Sequence, residues 1–168
     1  MPTPSSELYR RIPLTQGQFA LVDVSDYEWL MQWKWFAHWE PTLQSYRAVR
    51  QMKLTDNKQT AVYMHREILG LKRGDKRKGD HWNHDTLDNR RSNLRIASNA
   101  QNCMNRRKRR DSHQPAKGVE KLPSGRYRAQ IFTGGKNIHL GVRNTVEEAC
   151  KLYAESALKF YGLFHCLG

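Results

Sequence analysis

The sequence predicts an α+β chain built as two small antiparallel units joined by a basic connection. Three observations carry that expectation. The first 70 or so residues alternate short strand-like runs with turn formers; residues 101–110 hold five cations and no carboxylate and run into the polar stretch "DSHQP"; and residues 117–168 read as three short strands followed by one amphipathic helix. With 168 residues, the chain has room for one ordinary domain or two small ones.

Its 29 Lys and Arg against 16 Asp and Glu give a net charge of +13, which favours a polyanionic partner, nucleic acid above all. There is no apolar run of the length a membrane span requires, so no membrane association is expected. The opening "MPTPSSELYRRIPL" lacks the basic segment, apolar segment and small-residue cleavage site of a secretory signal, and an intracellular, reducing location follows as the expectation. Cys103, Cys150 and Cys166 are odd in number, widely spaced and without a CxxC pair, which argues against a disulfide framework or a structural zinc site and for three buried small side chains.

In the first segment, "RIPL" and "FALVDV" are strand candidates, and Ser25 with Glu28 spells a capping box opening a short helix, "DYEWLMQ". Trp33, Trp35 and Trp39 share one parity, as on one face of a strand, where core packing is favoured over stacking on unpaired bases. "SYRAVRQMKL" and "TAVYMHREIL" complete a small antiparallel sheet with a helical turn.

The segment from Lys72 to Arg110 holds the chemistry. Asn83, His84 and Asp85 are turn formers between strand-like pieces, which puts Asp80 and His81 at the end of the first strand. Ser98 and Gln101 form an S-x-x-Q box that starts a helix carrying Asn102 in its first turn and Asn105 beyond. Two strands and a helix would bring Asp80, His81 and Asn102 together across one cleft. Such a cluster suits phosphodiester hydrolysis: an Asp carboxylate and an Asn carbonyl are ligands for a hard divalent cation, and a neutral imidazole can take a proton from water near neutral pH.

At these residues, through "YMHREILG", "GDH", "LDNRRSNLR" and "NAQNCMNR", the sequence resembles the HNH nucleases, particularly the phage and intron-type homing endonucleases. The resemblance implies a ββα-metal fold in which Asp80 and Asn102 hold one divalent ion, Mg²⁺ or Mn²⁺, and His81 acts as general base. Asn93 would orient the His81 loop, with Asn89 competing for that role. "IPLTQGQFALVDVSDYEWLMQWKWFA" looks like the strands found ahead of the motif in this group, and His84 stands where Gly often follows the turn residue. His65 in "YMHRE" could reach the cleft as a phosphate or metal-shell residue or be packed against backbone, and Arg66 is equally ambiguous. Arg90, Arg91 and Arg95 flank the cluster as phosphate contacts, and Arg106, Arg107, Lys108, Arg109 and Arg110 read as a tether that tracks the DNA backbone.

In the third segment, turns fall at Pro123–Gly125 and Gly134–Gly135. Thr145 and Glu148 form a capping box, Ala149, Leu152, Tyr153, Ser156, Ala157 and Phe160 make a packing face, and Gly162 ends the helix. Through Gly118-Val119, "GRYRAQI", "HLGVRNTVEEA" and "YAESALKFYG", the stretch resembles the plant ethylene-response-factor type of DNA-binding domain, also found fused to phage HNH nucleases. That resemblance implies a sheet entering a major groove, with Arg126, Arg128 and Gln130 facing one side and His139 or Arg143 joining them. This sequence carries Glu120 and Tyr127 where the plant domains commonly have Arg and Trp.

The expectation is therefore a nuclease domain over 1–110 with its ββα core at about 72–110, a linker at 111–116, and a reader of double-stranded DNA over 117–168. A monomer is the default oligomeric state. Two rivals stand beside it: a non-catalytic DNA binder on an inactive nuclease fold, and a binder of structured RNA.

Overall fold

A computed structural model describes residues 8–108 and 112–164, so Arg109, Arg110 and Cys166 lie outside the described residues. The chain divides into two compact units, one running to Asn99 and the other from Ala100 onward, and the basic run therefore falls within the span of the second. No helix among the described residues is long and apolar enough to cross a membrane.

The first unit opens with an antiparallel pair, β1 (Tyr9–Pro13) and β2 (Phe19–Asp23), followed by helix α1 (Val24–Leu30). Ser25 does not cap this helix. The helix starts two residues earlier, at Val24, with Asp23 at the N-cap position and no side-chain capping bond. The Asp23 carboxylate is diverted instead, its Oδ2 accepting the Arg91 backbone N–H at 2.7 Å. An interaction across the unit has outcompeted the local cap.

Next come β3 (Phe36–Glu40), β4 (Ser45–Thr55) and β5 (Lys58–Tyr63), an antiparallel sheet in that order, and the short helix α2 (Met64–Ile68). Trp33 and Trp35 lie ahead of β3 and not on it. Trp35 is buried and donates its Nε1–H to the Leu30 carbonyl at 2.8 Å, while Trp39, on the strand, is exposed beside Tyr46. The shared parity of the three Trp residues thus does not describe one strand face; Trp29 on α1 and Trp33 and Trp35 in the turn before β3 form an edge-to-face chain instead.

The hairpin β6 (Lys78–His81) and β7 (Leu94–Ala97) completes the unit. Ile12, Ala20, Val22, Leu30, Trp35, Ala48, Met64, Ile68 and Leu94 make one core drawn from β1, β2, α1, the turn before β3, β4, α2 and β7. At roughly 1.5–3 kcal/mol per large buried side chain, this core offsets the ordering of an otherwise loop-rich unit. Helix α3 (Asn99–Met104) begins immediately after Ser98, where the sequence set its start.

In the second unit, β8 (Val119–Lys121), β9 (Tyr127–Thr133) and β10 (Lys136–Arg143) form an antiparallel sheet with β9 central, and α4 (Val146–Tyr161) packs on one face. The Thr145–Glu148 capping box is present in both directions, and Gly162 terminates the helix at φ 53°. Ala149, Tyr153 and Ala157 are buried against Val119, Ala129 and Ile131. Phe160 is exposed, contrary to the expected face. The buried positions step by four residues, so Tyr161 continues the row, packing on the core and donating its hydroxyl to the Phe132 carbonyl at 2.6 Å. Cys103 is also exposed, since α3 is a six-residue helix with no buried side chain, and Cys150 is partly buried.

Candidate active site

Asp80 and His81 are the last two residues of β6, and both are buried. A strand end can hold two adjacent, chemically different side chains on opposite faces, with the following turn fixing the second. That turn is clamped by Asn93. Its Oδ1 accepts the Asn83 backbone N–H at 2.9 Å, its Nδ2 donates to the Asp88 carbonyl at 2.7 Å, and its own carbonyl accepts the Trp82 N–H at 2.9 Å. His84 takes the left-handed conformation at φ 67°, the position where the resemblance calls for Gly.

Asn89 has a different task. Its Nδ2 donates to the Leu87 carbonyl at 3.1 Å, which fixes the amide orientation, and its Oδ1 then faces His81 Nε2 at 3.4 Å. An amide oxygen can only accept, so this contact favours the His81 tautomer with its proton on Nε2 and Nδ1 as the basic nitrogen. The two asparagines between which the sequence did not decide therefore act on different targets, Asn93 on the loop backbone and Asn89 on the imidazole.

His65, at the start of α2, packs edge-on against His81 with ring centroids 4.9 Å apart and lies 5.7 Å from the Tyr63 ring. Gly79 permits this approach: a Cβ there would sit 2.5 Å from His65 Cδ2 and 3.1 Å from Leu69 Cδ1. Burial holds both imidazoles below the usual histidine range. For His65, the neighbouring His81, Arg47 and Arg66 push further the same way. For His81, the Asn89 bond, Asp80 and Asp85 oppose the shift and Arg47 reinforces it. A neutral imidazole at this position can accept a proton.

Asp80 faces Arg95 directly across the hairpin, and Nη2 of Arg95 lies 2.7 Å from Asp80 Oδ2. The other two flanking arginines are likewise tied to buried carboxylates. Arg90 grips Asp88 through Nε and Nη2, both at 2.7 Å, and Arg91 grips Asp26 at 2.8 and 2.7 Å. All three guanidiniums thus hold the fold together, whatever else they touch. Arg66 donates to the Lys72 and Arg77 carbonyls, closing the basic loop ahead of β6.

Arg47, Gly79 and Asp88 belong to this neighbourhood and sequence reasoning passed over them. Gly79 had a signal in its place within "GDH"; Arg47 had none, being one cation among several on an alternating strand.

For a divalent ion, the chemistry on offer in the first unit is the carboxylate of Asp80. Among the described residues no three of His, Cys, Asp and Glu are grouped to hold a metal. A carboxylate completed by amide and water oxygens fits a hard cation such as Mg²⁺ and does not fit zinc.

In the second unit, Asn102 is half-buried on α3, and Asn105 is buried, its backbone N–H bonded to the Gln101 carbonyl. Arg106 and Arg107 are exposed, while Lys108 donates to the Gln114 carbonyl at 2.9 Å. Lys117 closes the end of α3 through the Met104 carbonyl at 2.6 Å. On the sheet, Arg128 and Gln130 share the face turned away from α4, since Ala129 and Ile131, which alternate with them, are buried. His139 pairs with Gln130 and joins that face; Phe132 lies on it too, exposed. Arg128 is bonded to Glu120 at 2.6 Å. Arg143 is not brought to this face: it pairs with Tyr127, whose neighbour on the same side is the buried Ala129. Arg126 is exposed in the turn before β9.

No family model matches the chain, and no solved structure matches it. Among curated proteins it is similar to "Uncharacterized HNH endonuclease L560" of Acanthamoeba polyphaga mimivirus, with 32% identity over 85 residues, 51% of this chain and 43% of the relative. The chain thus spans less than half the length of the relative it matches. This likeness supports a nuclease of the HNH type.

Proposed function

We propose that the protein is a metal-dependent DNA endonuclease of the homing type, in which the first unit carries the base and the second reads the target. The single observation that supports this most is the His81 arrangement: a buried, neutral imidazole whose Nε2–H is committed to Asn89, leaving Nδ1 as the base, on a turn clamped by Asn93. In this reading, Nδ1 takes a proton from the water that attacks phosphorus, and the phosphorus–O3′ bond breaks as the new oxygen bond forms. Asp80 would be the first unit's ligand to a single Mg²⁺ or Mn²⁺, which when bound neutralises charge on the phosphate and on the departing oxygen. Arg126, Arg128, Gln130 and His139 would face the bases and phosphates of double-stranded DNA, and Arg106, Arg107 and Lys108 would follow its backbone.

The Arg95–Asp80 pair favours a second reading, a DNA binder on an inactive nuclease scaffold, because the carboxylate already has a cation. One experiment separates the two. The full chain and His81→Ala are incubated with plasmid DNA, and with RNA of equal length, in Mg²⁺, Mn²⁺ or EDTA. Cleavage of DNA by the wild type alone, abolished by EDTA, supports the endonuclease; DNA binding without cleavage in every condition supports the scaffold.

A further inference from the structure

Six arginine side chains of the first unit, Arg50, Arg66, Arg77, Arg90, Arg91 and Arg95, each take up a carboxylate or a carbonyl. Arg47 does not. Its side chain makes no hydrogen bond or ion pair among the described residues, and its Nε, like that of Arg50, is closed off from solvent without an acceptor. Its guanidinium lies 5.5 Å from the Tyr63 ring centroid, Tyr63 stacks toward His65, and His65 packs on His81. The positive charge of Arg47 acts on both imidazoles. A guanidinium that no carboxylate among the described residues pairs, set beside two imidazoles, is a cation that an anionic ligand can pair.

We propose that Arg47 is the phosphate-holding cation of this site, donating through its guanidinium to a non-bridging oxygen of the DNA phosphate that lies against His81. The inference rests on the nuclease reading and adds a residue to it. A guanidinium matches a phosphate in both charge and fork geometry, whereas an ammonium offers only the charge. Stacking on Tyr63 pre-orients the planar group, so little side-chain freedom is lost on binding. The ligand enters as an anion and meets the Nη groups of a guanidinium that no carboxylate among the described residues holds. Sequence alternation could not single this residue out, because its neighbour Arg50, on the same strand, is consumed by Glu67 and lies over the Trp33 ring.

The test uses the full chain labelled with ¹⁵N-arginine. A solvent-shielded Nε–H exchanges slowly and gives a resolved NMR signal, assigned by its loss in Arg47→Lys. A short DNA duplex is titrated in EDTA, and single-turnover cleavage at saturating enzyme is then measured in Mg²⁺ for wild type, Arg47→Lys and Arg47→Met, with thermal melts of each. The expected result is a shift of the Arg47 signal on adding duplex, a loss of about 10²–10³-fold in rate for Arg47→Met, and partial retention in Arg47→Lys. If Arg47→Met destabilises the fold, Arg47→Lys and the signal decide. Wild-type cleavage with no shift and full activity in both variants overturns the role of Arg47 and leaves the nuclease reading intact. A shift without cleavage by the wild type upholds the phosphate contact and removes the nuclease reading. Neither shift nor cleavage overturns both.

Discussion

Asp80 and Arg95 stand opposite each other in the β6–β7 register, and Nε and Nη2 of the arginine both converge on one carboxylate oxygen, Oδ2, at 2.8 and 2.7 Å. The proposed metal ligand is therefore charge-balanced from within the hairpin. Removing Arg95 strands a buried carboxylate, at a cost of about 3–5 kcal/mol. Arg95→Met is expected to melt well below wild type without divalent ions and to regain more melting temperature than wild type on adding Mn²⁺, because the cation then replaces the guanidinium. Differential scanning fluorimetry with and without Mn²⁺ checks this; equal shifts in both proteins would mean that Asp80 takes no metal.

The two asparagines should separate by readout. Asn93→Ala unpins the exposed Asn83 amide and strands the buried Asp88 carbonyl, which should cost about 1–3 kcal/mol. Asn89→Ala leaves the turn clamped and frees the imidazole to change tautomer. It should lower cleavage far more than stability. Urea melts beside single-turnover rates distinguish them, and a merely structural Asn89 would show parallel losses in both.

Acid should loosen the first unit through Asp88. Burial alone would raise its pKa, but the bonds from Arg90 and Asn83 outweigh burial and hold it below the usual aspartate range. A carboxyl depressed in the folded state contributes stability that is complete above its unfolded value of about 3.9 and disappears as pH falls through the folded value. Asp88→Asn should be less stable than wild type at neutral pH, and the gap should narrow below about pH 4. Chemical melts at a series of pH values test it; a gap constant with pH would detach Asp88 from the acid response.

Gly79→Ala should harm the site by crowding alone. The new methyl would press on His65 and Leu69, and overpacking of this kind costs about 1–3 kcal/mol. His65 is wedged between that methyl and His81, so the His81 ring should be displaced and cleavage should fall. The ring NMR signals of His65 and His81 report the movement directly; unchanged signals would mean that the backbone yields instead.

The sequence by itself determined the local features whose cause is local. Turn formers at Asn83–Asp85 end β6 after His81, Thr145 and Glu148 cap α4, and Gly162 stops it, because each depends on residues within one turn of chain. Tertiary structure decided everything that depends on competition between partners far apart in the chain. Asp23 gave up capping α1 to hold Arg91, 68 residues away, and Trp33 and Trp35 left the strand face because the α1–β3 turn buries them better. The arginines make the point most plainly. Arg47, Arg90, Arg91 and Arg95 carry the same side chain, and nothing in their spacing separates them. Arg90 has Asp88 two residues away, but only the placement of Asp26 and Asp80 against Arg91 and Arg95 leaves Arg47 as the one of these four without an anion, because charge pairing between distant residues is set by distance in space and by burial.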